Sequence, residues 1–416
     1  MTRSAEGVPD PAGPPLGGVR VVDLSTSYAG PTATMYLADL GADVIKVERP
    51  GHGDDARAWG PPFVGGQSAW FDSANRNKRS IALDLRAPGG ADVLHDLLDR
   101  ADVLVANLNP GKLASLGLDP ERLRARHPRL VYCALSGFGL TGPDATLGGY
   151  DLVAQARSGL MSVTGERGGT PQRVSTALSD VVSGLVAALA IVAAVRRQDR
   201  TGQGEVVDVS LLDADLALMA PRIASYLAGE PEPGPSGGTD SVLAVYQVFE
   251  TADGALVLAI GSDGIWRRFC PLVGLPELAD DPRLATNAGR RAHREEVLAR
   301  ITERLAGDTA RAWLERFAAA GVPAAPVQTL SQVVTDRQVV ARDAVLAMRR
   351  DGATVHGIRS PWRLASQPAP PARPAPVLGG DTVAVLREHG LAEDRIAQLL
   401  AEGAVQAPGV ARGAAG

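Results

Sequence analysis

Between Val19 and Leu135, short apolar runs alternate with longer stretches whose apolar positions recur at helical spacing. Val19-Arg20-Val21-Val22-Asp23-Leu24 reads as a buried strand. The loop Ser25–Gly30 follows, and Pro31 suits the first turn of a helix that ends near Leu40 and is stopped by Gly41. Asp43–Glu48 is predicted as a second strand. A helix around Ala91–Arg100, a strand at Val103–Val105, short helices after Pro110 and Pro120, and a strand at Leu130–Leu135 continue the pattern. Arg196–Gly202 is predicted as a polar turn, Glu205–Ser210 as a strand, and Leu211 to about Leu227 as an apolar helix. Alternation of this kind predicts an α/β fold, with a large Rossmann-like domain whose parallel sheet is covered by helices.

The pattern breaks at the Gly/Pro-rich stretch Gly229–Asp240. Val242–Phe249 and Ala255–Ile260 flank the turn Ala252-Asp253-Gly254 and read as a hairpin. Helices are predicted at Ile265–Leu272, Arg290–Leu305 and Thr309–Ala320, the last capped by Asp308 and stopped by Gly321. This stretch predicts a smaller α+β domain. Ser366–Pro376 reads as a Pro/Ala hinge, followed by helices at Val383–His389 and Glu393–Leu400. The expected organisation is a disordered tail over 1–16, a large domain over 17–228, a small domain over 229–330, a return segment over 331–402 that completes the large domain, and a second disordered tail over 403–416.

The 416 residues carry a formal net charge of −5, with no basic stripe interleaved with aromatics, which argues against a nucleic-acid partner. Two cysteines, Cys133 and Cys270, are too few for a zinc cluster or a disulfide scaffold, and no metal is expected. Residues Met1–Gly18 lack the apolar core of a signal peptide. The apolar run Val181–Val195 is shorter than the roughly 20 residues of a membrane span. A soluble, cytoplasmic protein without a membrane partner is the expectation.

The richest candidate for chemistry is Asp180, in Leu178-Ser179-Asp180-Val181-Val182-Ser183-Gly184, at the mouth of that small-residue run. Gly184 and the alanines after it allow the backbone to lie close to a neighbour. If the stretch does covalent chemistry, the carboxylate is its natural nucleophile. The plainer reading is that Ser179 or Asp180 caps the helix, whose positive end would also keep a carboxylate ionised. The first loop, Ser25–Pro31, lacks G-x-G-x-x-G, so dinucleotide binding is weakly supported. Arg49, just past the second strand, stands where nucleotide folds receive a phosphorylated ribose. Asn75-Arg76-Asn77-Lys78-Arg79-Ser80 is a second basic loop, and Asn107-Leu108-Asn109-Pro110-Gly111 follows a strand end. Taken alone, the basic loop reads as ordinary surface charge; together, these loops would form a phosphate-accepting lip.

These motifs, in order from Gly17 to about Leu400, resemble those of the class III CoA-transferases. The matching stretches include Gly18–Leu24, Ala29-Gly30-Pro31, Leu40–Glu48, Asn77–Ile81, Asn107-x-x-Pro110-Gly111, Leu135–Gly139 and Thr201–Gly204. The resemblance implies the family's fold, an interlocked homodimer, and transfer of coenzyme A between an acyl-CoA and a carboxylic acid through aspartyl-anhydride and aspartyl-CoA thioester intermediates. It puts the nucleophile on Asp180, with Tyr28 and Tyr150 at the other catalytic positions. CoA contacts fall on Tyr28, Ala29, Arg49, Leu83, Asp84, Leu85, Arg86, Asn107, Leu108 and Asn109, and on the neighbourhood of Gly148.

Departures from the family pattern stand at Ser115, where an arginine is usual and Lys112 is close enough to substitute, and at Gly148 and Tyr28, which replace a lysine and a glutamine. Gly379-Gly380-Asp381-Thr382 replaces Gly-Glu-His-Thr, and Ser236–Asp240 matches a shielding loop with fewer glycines. The acyl pocket is expected partly around Gly234–Asp240 and Gly261-Ser262-Asp263. The family's 2-methylacyl-CoA racemases use a histidine where this chain has Tyr150, and a phenol with a pKa of about 10 is a poor base at neutral pH. The pattern therefore favours transferase over racemase, or over a non-catalytic acyl-CoA-binding protein.

Overall fold

The computed structural model describes residues 13–108, 110–367 and 372–409. Its first unit comprises Met1–Gly159, Val174–Ala224 and Arg342–Gly416, and its second Leu160–Arg173 and Ser225–Ala341. The second unit therefore includes a short segment before Asp180 that sequence alone assigns to the large domain.

The first unit is built on strands β1 (Arg20–Asp23), β2 (Asp43–Glu48), β3 (Arg79–Leu83), β4 (Val103–Ala106), β5 (Val131–Ser136), β6 (Val206–Ser210) and β7 (Val405–Gln406), in the sheet order β7-β3-β2-β1-β4-β5-β6. All pairs are parallel except β7 on β3. Alternate strand residues bury on opposite faces: Val22, Leu104 and Tyr132 pack with one set of helices, while Val21, Val105 and Cys133 pack with the other. Burial on both faces explains the nearly continuous apolar runs. The order reverses between β1 and β4, and at such a point the loops beyond the strand ends open a crevice.

Helices α1 (Ala29–Asp39), α2 (Asp151–Arg157), α3 (Leu178–Thr201) and α4 (Leu211–Leu227) frame the site. α3 buries Ser183, Gly184, Ala187, Ala188, Ile191, Ala194 and Val195, and it packs on α1. A Cβ added at Gly184 would stand 2.9 Å from the Ala29 carbonyl oxygen, so the small-residue run does bring two backbones together.

Several expectations change. The polar turn expected at Arg196–Gly202 is helix through Thr201, because arginine and glutamine are good helix formers. Gly202 ends it at φ +73°, its N–H donating to the Gln198 carbonyl. At 24 residues the helix is now long and apolar enough to cross a membrane by length and composition, so the length argument against a span fails. Within the unit its buried face belongs to the core on one side of the sheet. The tail expected over 403–416 is in part ordered. Val405 and Gln406 pair with β3, and the Thr382 hydroxyl donates to the Gln406 carbonyl at 2.7 Å. Leu16, in the other expected tail, is buried; residues 1–12 and 410–416 lie outside the described residues. A hairpin over Val345–Arg350 and Ala353–Ile358 adds to what periodicity predicts.

The second unit has a three-stranded antiparallel sheet of Ala324–Pro326, Ala255–Ala259 and Tyr246–Glu250. Helices Asp263–Leu272, Arg294–Leu305 and Ala310–Ala319 pack on it around Trp266, Phe269 and Phe317. The single helix expected over Arg290–Leu305 breaks at His293. Thr309, not Asp308, caps the last helix, accepting from the Ala312 N–H.

Candidate active site

The loop after β1 is held by a buried set of charges. Asp23 accepts from the Ser25 hydroxyl at 2.5 Å, from Thr34 at 2.7 Å and from Lys78 at 3.1 Å. Lys46 donates to the Ser25 carbonyl at 2.7 Å and pairs with Asp54 at 2.9 Å. Asp54 in turn accepts the Ser27 N–H, and Ser27 sits at φ +71°, a strained region for a residue with a side chain. Burial alone would raise the Asp23 carboxyl, but Lys78 and Lys46 hold it well below the usual carboxylate range. Burial brings Lys78 down to about 8 against the pull of Asp23. This network corrects the reading of Asn75–Ser80 as part of a phosphate lip. Lys78 is sealed beneath the loop, Arg76 is buried against Asp39, and Arg79 is spent on Asp43 and Glu388.

Beyond the strand ends lie two cavities. The larger, about 380 Å³, is lined by Arg49, Leu83, Asp84, Leu85, Arg86, Leu108 and Lys112, among others. Most of the positions expected to contact CoA thus meet in one place, drawn from the ends of β2 and β3 and the loop after β4. Arg49, Arg86 and Lys112 are exposed there and can offer donors and positive charge to phosphate, and His52 is exposed beside them. Arg49 is held to the Gly53 carbonyl and to Asp55, a carboxylate that an incoming anion must displace.

The smaller cavity, about 210 Å³, is lined by Ala29, Asn107, Leu108, Tyr150 and Asp180 together with Thr26, Trp59, Gly137 and Gly149. Thr26 and Leu108 line both cavities, so they adjoin at the crevice between β1 and β4. Asn107 locks that junction, accepting the Thr26 N–H at 2.9 Å and donating to its carbonyl at 2.7 Å. Gly137 and Gly149 cross in the wall, where a Cβ on Gly137 would lie 2.5 Å from the Gly149 Cα. Sequence alone does not single out this pair.

Asp180 does not cap its helix. Ala177 occupies the cap position and has no side-chain acceptor. The cap comes from Asp151 at the start of α2, which accepts the Ser179 N–H at 2.8 Å and the Asp180 N–H at 3.4 Å. Ser179 donates its hydroxyl to Asp215 on α4 at 2.7 Å. Among the described residues, no hydrogen bond reaches the Asp180 carboxylate, which leaves it available to the cavity. Burial, and then the negative charges of Asp151 and Asp215, push its pKa up to about 7. The expectation that the helix end keeps this group ionised is therefore weakened: desolvation and two like charges raise its pKa.

Of the other expected catalytic residues, one stands apart. Tyr28 lines neither cavity; its hydroxyl shares a 2.9 Å hydrogen bond with Ser73, and its ring lies edge-on to Trp70. Tyr150 lines the Asp180 cavity but is 68% exposed, immediately before α2. Asn109 lies outside the described residues.

The model of CoA-transferase family III matches residues 16–382. A succinate–glutarate CoA-transferase of Agrobacterium fabrum is 41% identical over 382 residues, covering 90% of this chain and 96% of the relative. Human succinyl-CoA:glutarate CoA-transferase is 39% identical over 393 residues, covering 94% and 90%. Among solved structures, a CAIB/BAIF family protein from Brucella suis matches with a TM-score of 0.79 at 38% identity, covering 90% of this chain and 99% of that one.

Proposed function

Because this chain belongs to CoA-transferase family III and is a CoA-transferase, we propose that it moves CoA between carboxylic acids through covalent intermediates on Asp180. The observation that carries this reading is the uncapped Asp180 carboxylate in the wall of a cavity that adjoins the cation-rimmed one. Asp180 attacks the thioester carbonyl of an acyl-CoA, the C–S bond breaks, and an anhydride and CoA thiolate result. The thiolate attacks the aspartyl carbonyl, releasing the donor acid and leaving an aspartyl-CoA thioester. An acceptor carboxylate then takes CoA by the reverse sequence. Arg49, Arg86 and Lys112 suit the CoA phosphates. The start of α1, with no side-chain cap and Ala29 at the cavity wall, suits the developing oxyanions. One thioester replaces another, so neither ATP nor a metal is required.

The relatives' names favour succinyl-CoA as donor and glutarate as acceptor. A cytoplasmic setting fits such an enzyme. Leu189 of α3 is 72% exposed, and Val186, Leu216 and Leu218 are exposed as well, apolar side chains suited to cover by a second, interlocked copy of the chain. The test is CoA transfer from succinyl-CoA to a panel of mono- and dicarboxylic acids. Glutarate should be among the best acceptors, and failure of every dicarboxylate would overturn the substrate assignment. Loss of an α-deuterium from 2-methylacyl-CoA without any acceptor would point to racemisation instead.

A further inference from the structure

Asp180 is flanked by two carboxyl groups, while Arg157 at the far end of α2 is engaged by Asp144. From α2 comes Asp151, with Tyr150 beside it; from α4 comes Asp215, wholly buried. α1 contributes no charged residue except Asp39 at its far end, and the next charge on α3 is Arg196. The described residues lining the Asp180 cavity include no lysine, arginine or histidine. Ser179 is gripped from both sides, its N–H by Asp151 and its hydroxyl by Asp215, and Asp180 follows it in the chain. A further bond from the Ser183 hydroxyl to the Ser179 carbonyl, at 2.6 Å, stiffens this turn.

The geometry points to Asp215 as a positioning residue that, together with Asp151, drives Asp180 towards its covalent form by like-charge repulsion. In the overall half-reaction, acyl-CoA and the Asp180 carboxylate become the aspartyl-CoA thioester and the free donor carboxylate. The thioester bond to the donor breaks, one to Asp180 forms, and the negative charge leaves the site with the departing acid. Ionised Asp180 stands beside two further carboxyl groups in a partly desolvated place, where burial raises the Asp215 carboxyl as well, whereas the anhydride and the thioester carry no charge at that carbon. The strain that raises the Asp180 pKa to about 7 is relieved by acylation as it is by protonation. Asp215 meets no reacting atom; it acts through its charge and through Ser179.

This inference rests on the reading of Asp180 as covalent nucleophile, and the test separates the two. Intact-mass spectrometry would measure the ratio of thioester-bearing to free enzyme at a fixed succinyl-CoA to succinate ratio, and the pH profile of kcat/KM would be recorded alongside. Asp215→Asn keeps an oxygen for the Ser179 hydroxyl and removes the charge. It should lower the adduct ratio about tenfold and move the acid limb of kcat/KM down by about one pH unit, the equivalent shift. A folded variant with an altered Tm but an unchanged adduct ratio and acid limb would overturn the proposal, since a purely structural role moves neither. Should Asp215→Asn not fold, Asp151→Asn, whose amide oxygen can still cap α3, must show the same two shifts, and their absence overturns the like-charge account. Transfer with no adduct in the wild-type enzyme would instead count against Asp180 as covalent nucleophile.

Discussion

Two groups of aspartates, both in the first unit, lead opposite lives: Asp23 and Asp54 are buried, while Asp180 and Asp151 are half-buried beside the buried Asp215. Around Asp23 and Asp54, each carboxylate faces a lysine across about 3 Å and the charges balance. Around Asp180, Asp151 and Asp215, carboxylates face hydroxyls, N–H groups and one another. The first arrangement holds Asp23 ionised far below the usual range, and the second lifts Asp180 towards neutrality. Desolvation pushes both Asp23 and Asp180 upward, so the counter-ion decides. A buried carboxylate with its cation is a clamp on the loop between the cavities, while one without it is a group with free energy to give up on reaction.

The sharpest way to break this contrast is to remove Asp180. Asp180→Asn should lower CoA transfer by about a thousandfold or more while the protein keeps its fold. Because the folded pKa of Asp180 is raised, its stabilising contribution is complete below the unfolded value and is lost as pH rises through about 7. Above that pH the asparagine variant should therefore melt higher than wild type in calorimetry, and a lower Tm there would contradict the assignment of strain. Asp23→Ala should do the reverse. Leaving Lys78 and part of the Lys46 charge uncompensated should cost about 3–5 kcal/mol in urea unfolding. The depressed pKa of Asp23 means that its contribution is present above its unfolded value of 3.8 and fades as pH falls through the folded value. Smallest is Gly184→Ala, where a methyl group 2.9 Å from the Ala29 carbonyl must push α1 and α3 apart. That should cost about 1–3 kcal/mol and lower kcat by displacing Asp180, and an unchanged melting curve would show that the helices are less tightly set.

What could be read from the chain follows the same division. The central strands β1, β2, β4 and β5 were legible because they are buried on both faces and therefore written as apolar runs. α3 was legible only in part: its apolar segment ends at Val195, but arginines and glutamine prolong it to Gly202. Lys78 looks like surface charge in sequence, since its partner Asp23 lies 55 residues away and only the pairing of β1, β2 and β3 unites them. Asp180 stood out by its setting, yet its cap, Asp151, is 29 residues earlier, so the alternative that Asp180 caps its own helix could not be dismissed from spacing. Asp215 did leave a signal. It lies in an apolar helix with leucine or methionine at both the i±3 and i±4 positions, where no cation can answer it locally. Tyr28 misled because the resemblance fixes the position of its backbone, not where the larger ring goes, and here the ring turns to Trp70.

The central claim is that Asp180 bonds covalently to the group in transit. Incubation with succinyl-CoA and hydroxylamine, followed by peptide mapping, tests it most directly. The account predicts a hydroxamate on the peptide containing Asp180, dependent on the acyl-CoA and absent from Asp180→Asn. Unlabelled Asp180 in enzyme that is still turning over, or undiminished transfer by the asparagine variant, would contradict it.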